Sequence, residues 1–294
     1  MRKAVLLSFA MCAIGFLSVQ GESYPPAVME GTQLIPLKSK LNGRPYELFV
    51  SLPYSYGDAD SKKRYPVFYV LDGYWDGRLL HTMYGNMVYD QSVPEYILVG
   101  IGYSDPKMNP DRERMFDMSW ENLEGMDMPT GGGRDFLKVI REEIVPFVDL
   151  SFRTDPTWRV LGGSSMGGYF VLHTLFDDPG AFQAYVSISP AVNVGRRALF
   201  QVENDYRTDG EFQRGKTSLP ARLFMSAAGD EWEDFRGGIL AFDQILRHGG
   251  YSDFEYEFRL VDGERHAGTK PEGYSRGVRF VMRPYLESLK EKSE

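Results

Sequence analysis

Two short runs of the chain carry no charge and almost no polar side chain. Residues 66–71 read PVFYVL and residues 96–101 read YILVGI. A strand buried on one face alternates apolar and polar residues, whereas a strand buried on both faces is apolar throughout. The two runs therefore predict central strands of a largely parallel sheet that is covered by helices on both sides.

The rest of the chain continues this alternation of strands and helices, which is typical of right-handed βαβ crossovers and an α/β fold with a mostly parallel sheet. We predict one domain over residues 22–294, with a single long loop at 103–133. The further predicted strands are 32–38, 46–52, 158–162, 184–189, 221–227 and 254–260, and the predicted helices are 135–148, 237–248 and 276–290.

Two of these strands have a period of two. In 46–52 the apolar residues share one face, so we expect this strand to be half exposed. In 254–260 the charged residues Glu255, Glu257 and Arg259 all point away from the apolar face. The second pattern predicts a strand at the outer edge of the sheet.

The first 21 residues have the pattern of a secretory signal peptide. Arg2 and Lys3 give a positive start, residues 4–19 are uncharged and mostly apolar, and Gly21 ends a short stretch suited to cleavage. The apolar run is shorter than the roughly 20 residues of a spanning helix. We therefore predict cleavage and a secreted or periplasmic protein, with a retained membrane anchor as the alternative.

The remaining composition excludes several classes of partner. Cys12, the only cysteine, lies in the predicted signal, so the mature chain would have no disulfide and no thiolate, which fits a bacterial periplasm or exterior. The chain has 33 Lys and Arg against 41 Asp and Glu, and no basic stripe. We expect neither nucleic acid nor an anionic membrane surface as a partner. The composition does not determine an oligomeric state.

One pentapeptide carries the clearest chemical signal. Residues 163–167 read Gly-Ser-Ser-Met-Gly, a G-x-S-x-G pattern that follows an apolar strand and precedes an apolar helical stretch. In this setting a sharp turn raises the central serine, here Ser165, above the end of the sheet. Gly163 and Gly167 would remove side chains that collide across the turn. A strand-to-helix turn without chemistry is the alternative interpretation.

His266 is the best candidate for a general base. It lies just past the last predicted strand, in a loop that also holds the small residues Gly263, Ala267 and Gly268, and it follows the serine in the chain order that this type of site requires. His173 falls in the apolar helical stretch after the pentapeptide, His81 falls in a further predicted helix, and His248 lies near the end of 237–248. Packing or surface roles suit these three better.

A third residue should orient the imidazole and stabilise its cation. It is expected after the strand 221–227, where four acids are available: Asp230, Glu231, Glu233 and Asp234. Asp230 is nearest to the strand end and is our preferred acid. Glu231 is its main rival.

Two main-chain N–H groups are candidates for an oxyanion hole. The Met166 N–H follows the nucleophile at the start of a helix, where the backbone favours developing negative charge. The second donor should come from the loop after the strand 66–71, and Tyr74 N–H is our candidate. That loop contains Asp72-Gly73, which is also an ordinary turn pair.

These motifs resemble the Putative esterase family of α/β hydrolases, which includes enterobactin-type siderophore esterases, feruloyl and acetylxylan esterases, S-formylglutathione hydrolases and mycolyltransferases. The resemblance spans about 34–289 and is closest to the siderophore-esterase-like branch, whose members carry Pro-Thr-Gly-Gly and Phe-Arg-Thr-Asp stretches. The matching segments here are 65–73, 114–117, 129–133, 136–137, 152–155, the turn at Ser165, 189–190 and 263–266.

The resemblance implies an α/β-hydrolase fold and serine-dependent hydrolysis of carboxylic esters without metal or cofactor. It also implies Ser165 and His266 as nucleophile and base, with main-chain donors near Tyr74 and Met166. The chain departs from the family pattern at Trp120, near where relatives have proline, and the acid segment 228–234 aligns ambiguously.

By the same resemblance the loop 103–133 would lie over a substrate pocket. Its methionines suit an irregular apolar ligand, although local packing of a long loop explains them equally well. Arg114 is a candidate contact for a substrate carbonyl or carboxylate, and pairing with a nearby acid such as Asp117 is the alternative.

The expected substrate is a small-molecule, siderophore or carbohydrate-linked ester, because siderophore trilactones and plant-wall acyl esters both fit an exported enzyme. An acyltransferase on the same fold and a non-catalytic binding protein of the same fold are the two alternatives.

Overall fold

The computed structural model describes residues 27–58, 61–103, 107–209 and 217–291. The predicted signal peptide, residues 1–21, lies outside this range. From Gly31 onward the described residues form one compact unit. None of the helices within the described ranges has both the length and the apolar character needed to span a bilayer.

Eight strands form one sheet in the order β1-β2-β4-β3-β5-β6-β7-β8. The first two are antiparallel to their neighbours and the remaining six are parallel to one another. The prediction of an α/β-hydrolase fold with a mostly parallel sheet is confirmed. The strands are β1 Thr32–Lys38, β2 Pro45–Ser51, β3 Tyr65–Leu71, β4 Ile97–Gly102, β5 Thr154–Ser164, β6 Ala184–Ile188, β7 Ser218–Ala228 and β8 Ser252–Val261.

The helices alternate with these strands and cover both faces of the sheet. They are α1 Arg78–Tyr89, α2 Pro110–Met118, α3 Gly133–Val139, α4 Val145–Ser151, α5 Met166–Asp177, α6 Val194–Asp209, α7 Glu233–His248 and α8 Lys270–Glu291. Two π-helical turns accompany them in the described residues: Gly73–Gly77 precedes α1, and Ile140–Ile144 joins α3 to α4.

Alternate residues of β7 illustrate how the two faces are packed. Met225 belongs to the main core, which also holds Phe176 of α5 and Phe242 of α7 with their rings 6.4 Å apart. The adjacent Phe224 points to the other face and lies 6.3 Å from the ring of Phe280 in α8. Because successive residues of a strand point to opposite faces, the uninterrupted apolar runs follow from this double coverage.

Two local predictions are wrong. The segment 103–133 is not a continuous loop, because it contains α2, whose first N–H groups are capped by the Asn109 side chain while Pro110 occupies the first helical position. Strand β2 is not half exposed: it lies between β1 and β4, and Phe49 on its second face packs edge-on against His81 of α1 at 6.1 Å. The prediction of 254–260 as an outer strand is confirmed by β8.

Candidate active site

Ser165 occupies the turn between β5 and α5. Its backbone has φ 56° and ψ −117°, a conformation that is costly for a residue with a side chain. Hydrogen bonds hold it there, because Ser165 N–H donates to Ile188 O at 2.9 Å and Ser165 O accepts from Ala191 N–H at 3.0 Å. The turn is thus fixed to the end of β6, and the hydroxyl is raised at the carboxyl edge of the sheet.

The glycines around Ser165 do not contribute equally to this turn. A Cβ at Gly163 would lie 2.6 Å from the backbone of Gly167, so no other residue fits there without a shift. A Cβ at Gly167 would meet Leu71 only at 3.4 Å, an ordinary contact. Gly168 allows close packing, because a Cβ there would lie 3.0 Å from the Ser187 hydroxyl. Gly163 is therefore the sterically required glycine of the pair predicted from the sequence.

His266 lies in the loop that follows β8. Two backbone hydrogen bonds tie this loop to the one after β7: Gly229 N–H donates to Val261 O at 2.8 Å, and Asp230 N–H donates to Glu264 O at 2.9 Å. The His266 ring remains 26% exposed, so one edge is open to a ligand. The two loops are held side by side beyond the ends of neighbouring parallel strands.

The acid that contacts this histidine is Glu231. Its Oε1 lies 2.8 Å from His266 Nδ1, and the carboxylate is buried. Asp230, the acid preferred on sequence, has an exposed side chain, as do Glu233 and Asp234 at the start of α7. The prediction of Asp230 as the acid is therefore corrected to Glu231. The backbone N–H of Asp230 donates to Glu264 O, and in this backbone direction the side chain of Glu231, not that of Asp230, points inward to His266.

Ser189 completes this hydrogen-bond chain and was not predicted. Its hydroxyl donates to Glu231 Oε2 at 2.6 Å, and its backbone φ of 41° places it at the sharp end of β6. The second carboxylate oxygen is thus occupied, which fixes the orientation of the first toward His266. The signal in the sequence for this position was the Ser189-Pro190 pair, which is one of the segments that match the family.

Two aromatic side chains flank the His266 ring. The Phe235 ring meets it edge-on at 5.0 Å, and the Trp232 ring lies at 5.6 Å with an interplanar angle of 38°. Trp232 is 69% exposed, so an apolar face stands beside the imidazole at the surface. These contacts restrict rotation of the ring and exclude water from one side of it.

Ser165 and His266 follow β5 and β8, which lie in the same parallel part of the sheet and present their carboxyl ends at one edge. The hydrogen bonds of the described residues include none between the Ser165 hydroxyl and the His266 ring. In unliganded sites such catalytic hydrogen bonds are often long and shorten when substrate binds.

The two predicted oxyanion donors are both unengaged. Met166 N–H is at the first position of α5, and Tyr74 N–H lies in the π-helical turn Gly73–Gly77 that follows β3. Within the part of the chain that the structure describes, neither N–H donates to a protein acceptor. A Cβ at Gly73 would overlap the backbone of Gly100 in β4, so the turn lies directly on that strand. The Tyr74 N–H is therefore held at a fixed height above β4.

Arg114 is bound to an acid, although not to Asp117. Its Nε and Nη2 donate to the two oxygens of Asp72 at 2.8 and 2.7 Å, a bidentate pair that is largely buried. The pairing with an acid is thus observed, with Asp72 in place of Asp117, and the guanidinium holds the residue that precedes the Gly73–Gly77 turn; a contact of Arg114 with substrate stays a prediction. Asp117 faces Arg44 instead, and burial raises the pKa of its carboxyl to about 7.

The other histidines have structural surroundings. His81 in α1 bonds the Ser51 hydroxyl at 2.7 Å, and His248 Nδ1 lies 2.8 Å from Gln244 O at the end of α7. His173 in α5 is fully buried, stacks on Trp120 at 4.9 Å, and its pKa is lowered to about 3 by burial. It stays neutral at physiological pH.

Part of the segment 103–133 borders a cavity of about 410 Å³. One wall is 121–126 and the other is 194–196, just beyond Ala191, whose N–H binds Ser165 O. Met126 is the only methionine in this lining, and Met118 is buried in the core instead. Among the described residues, no cluster of three or more His, Cys, Asp or Glu side chains could hold a metal ion.

Comparison with known proteins identifies the family of this fold. Residues 39–232 match the family model described as Putative esterase. The ferri-bacillibactin esterase BesA of Bacillus subtilis (strain 168) is 26% identical over 86% of this chain and 90% of its own length.

Among solved structures, the BES protein from Bacillus cereus has a TM-score of 0.77 with 26% identity, covering 88% of this chain and 97% of that one. The IroE-like serine hydrolase from Shewanella oneidensis has a TM-score of 0.74 with 23% identity, covering 86% and 80%, and supports the fold. With the family model spanning most of the chain, the protein belongs to the Putative esterase family and is a carboxylic ester hydrolase of the α/β-hydrolase fold.

Proposed function

We propose that the protein hydrolyses its ester through an acyl-enzyme on Ser165, with His266 as the general base and Glu231 as the acid. The observation that carries this proposal is the hydrogen-bond chain Ser189–Glu231–His266, which fixes the imidazole at the sheet edge where Ser165 is raised. Nucleophile, base and orienting carboxylate are the three parts that this chemistry requires.

In the first half of the reaction the Ser165 hydroxyl attacks the ester carbonyl while His266 Nε2 accepts its proton. The negative charge that forms on the carbonyl oxygen is stabilised by the N–H groups of Met166 and Tyr74. The buried Glu231 carboxylate stabilises the imidazolium through Nδ1. His266 then protonates the departing alcohol, and water repeats the sequence to release the acid.

The substrate class we propose is a siderophore ester or a related small-molecule or carbohydrate-linked ester. The Bacillus subtilis relative is named a ferri-bacillibactin esterase, and a relative from Emericella nidulans is named a siderophore enterobactin esterase. The surroundings of the site suit a large aromatic substrate as well: Tyr74 and Trp75 beside the oxyanion donors are 58% and 44% exposed, and Trp232 stands beside His266. Exposed aromatic faces of this kind bind planar rings.

We also propose that the protein is exported to the periplasm or the exterior. The support is the sequence pattern of residues 1–21, with Arg2 and Lys3 ahead of an apolar run.

Ser165→Ala tests the nucleophile. We expect turnover of p-nitrophenyl acetate to fall to background, and a fluorophosphonate probe to stop labelling the protein, with the melting temperature close to that of the wild type. Ser151→Ala, an exposed serine at the end of α4, is the matched control and should change neither readout. Undiminished turnover in Ser165→Ala would refute the proposal.

A hydrolysis panel tests the substrate class. Enterobactin, methyl ferulate and acetylated xylan would be compared by kcat/KM, with Ser165→Ala as the blank. We expect the siderophore trilactone to be the best of the three. A higher kcat/KM for either plant-wall ester would assign the enzyme to the carbohydrate-linked class instead.

A further inference from the structure

Asp76 is a buried carboxylate that the proposed mechanism does not use. It lies in the π-helical turn Gly73–Gly77, two residues after Tyr74, and is only 1% exposed. A carboxylate this deeply buried is costly unless its oxygens are bound by donors. The identity of those donors indicates what the residue does.

Three side chains donate to Asp76. The Ser164 hydroxyl binds Oδ2 at 2.8 Å, the Tyr274 hydroxyl binds Oδ2 at 2.5 Å, and Lys270 Nζ binds Oδ1 at 2.8 Å. Burial raises the pKa of the Asp76 carboxyl, and the Lys270 ammonium opposes that rise. The two hydroxyls and the ammonium all present hydrogens, which matches a carboxylate that only accepts.

The three donors lie on elements of the proposed active site other than the turn that carries Asp76. Ser164 is the last residue of β5 and immediately precedes the nucleophile. Lys270 is the first residue of α8, four positions after His266, and Tyr274 lies one turn further along that helix. Asp76 therefore joins the turn that carries Tyr74 N–H, the turn that carries Ser165, and the helix that follows the His266 loop.

We propose that Asp76 is a positioning residue: through Ser164, Lys270 and Tyr274 it fixes the oxyanion donor Tyr74 N–H relative to the nucleophile and the histidine loop. The inference rests on the proposed function, because it assigns Asp76 a role in the Ser165 reaction. It predicts that loss of the carboxylate impairs stabilisation of the transition state more than binding of the substrate.

Asp76→Asn is the direct test. The amide keeps the shape but removes the charge that pairs with Lys270 Nζ, and its NH₂ group can hold Ser164 and Tyr274 only if both hydroxyls turn to accept, so all three contacts are weakened or reversed. We expect kcat for p-nitrophenyl acetate to fall about 100-fold, the order of loss that a displacement of about 1 Å causes, with KM within threefold of wild type. The affinity for a boronic acid inhibitor, which mimics the tetrahedral state, should fall with kcat.

Asp243→Asn is the matched control. Asp243 in α7 is likewise a buried carboxylate, and it binds the Tyr256 hydroxyl at 2.8 Å and Arg247 at 2.9 Å, with no contact to the catalytic turns. We expect this variant to lose thermal stability but to keep kcat and boronic acid affinity within twofold. Equal losses of kcat in Asp76→Asn and Asp243→Asn would reduce Asp76 to a stabilising residue and overturn the inference.

Tyr274→Phe keeps the inference testable if Asp76→Asn does not fold. It removes one donor and leaves the carboxylate and Lys270 in place, and kcat should fall about 10-fold with KM unchanged, a smaller displacement than the full loss. If Asp76→Asn or Tyr274→Phe folds and keeps wild-type kcat, and Ser165→Ala is inactive, the positioning role is overturned and the proposed function stands. Activity in Ser165→Ala would instead remove the proposed function itself.

Discussion

Replacing Glu231 by Gln isolates the contribution of one buried negative charge. The carboxylate binds His266 Nδ1 at 2.8 Å and the Ser189 hydroxyl at 2.6 Å. The amide of Gln fits the same space. Because a hydroxyl can accept as well as donate, Ser189 can turn to accept from the amide NH₂, which leaves the amide oxygen facing Nδ1. The histidine then keeps its tautomer, and the charge alone is lost.

The expected cost follows from this geometry. An N–O distance of 2.8 Å puts the two charge centres about 4 Å apart, and at an effective dielectric constant of about 20 their attraction is about 4 kcal/mol. At about 1.4 kcal/mol for each tenfold change in rate, kcat should fall about 10³-fold. If the amide turns its NH₂ toward His266, the tautomer is wrong as well and the loss approaches about 10⁴-fold.

The assay is kcat and KM for p-nitrophenyl acetate, with Asp230→Asn measured in parallel. Asp230 is the adjacent, exposed acid, and its substitution should change kcat by less than twofold. A loss below fivefold in Glu231→Gln would mean that Ser165 and His266 work without a carboxylate. A large loss in Asp230→Asn would restore the acid preferred on sequence and refute the reasoning from the structure.

Two further substitutions test the turn and the core. Gly163→Ala should lower the melting temperature and reduce kcat more than about 100-fold, because its Cβ would lie 2.6 Å from Gly167 and a displacement of about 1 Å already costs about that much. Gly237→Ala is the control, since its Cβ would meet no atom within 4 Å, and it should leave kcat unchanged. Wild-type activity in Gly163→Ala would contradict the steric argument. The pKa of His173 is lowered to about 3 in the fold, so the wild type loses stability as pH falls from about 6.5, by about 2 kcal/mol at pH 5. His173→Phe should lose less than the wild type between pH 7 and pH 5 in thermal melts, and parallel melting curves would contradict this.

Much of the fold could be predicted because the pattern of apolar residues within each strand reflects the burial of that strand. The uninterrupted apolar runs of β3 and β4 and the strict alternation of β8 directly reflect whether one or two faces are covered. The burial of Phe49 on the second face of β2 depends on a helix 30 residues away, which no window of the sequence contains. Helix α2 has little apolar periodicity, and its cap at Asn109 was the available signal.

In the site, the residues in motifs were predictable and those in tertiary contacts were not. Ser165 and His266 were identified by a turn pattern and by chain order, although their catalytic roles stay predictions until the variants are measured. Asp230 and Glu231 are neighbours of the same chemical type, and only the direction of the backbone decides which one faces inward. Asp76 and Ser189 have no motif of their own, because their partners lie far away in sequence.

The close contact between Gly73 and Gly100 restricts which positions of this turn can be substituted. Those two positions tolerate no larger residue, since the backbones touch, whereas the Tyr74 and Trp75 side chains project outward from the same turn. Redesign of substrate preference can therefore begin at positions 74 and 75. Under the proposed function, libraries at these two sites would change the side chains beside a bound substrate without displacing the Tyr74 N–H.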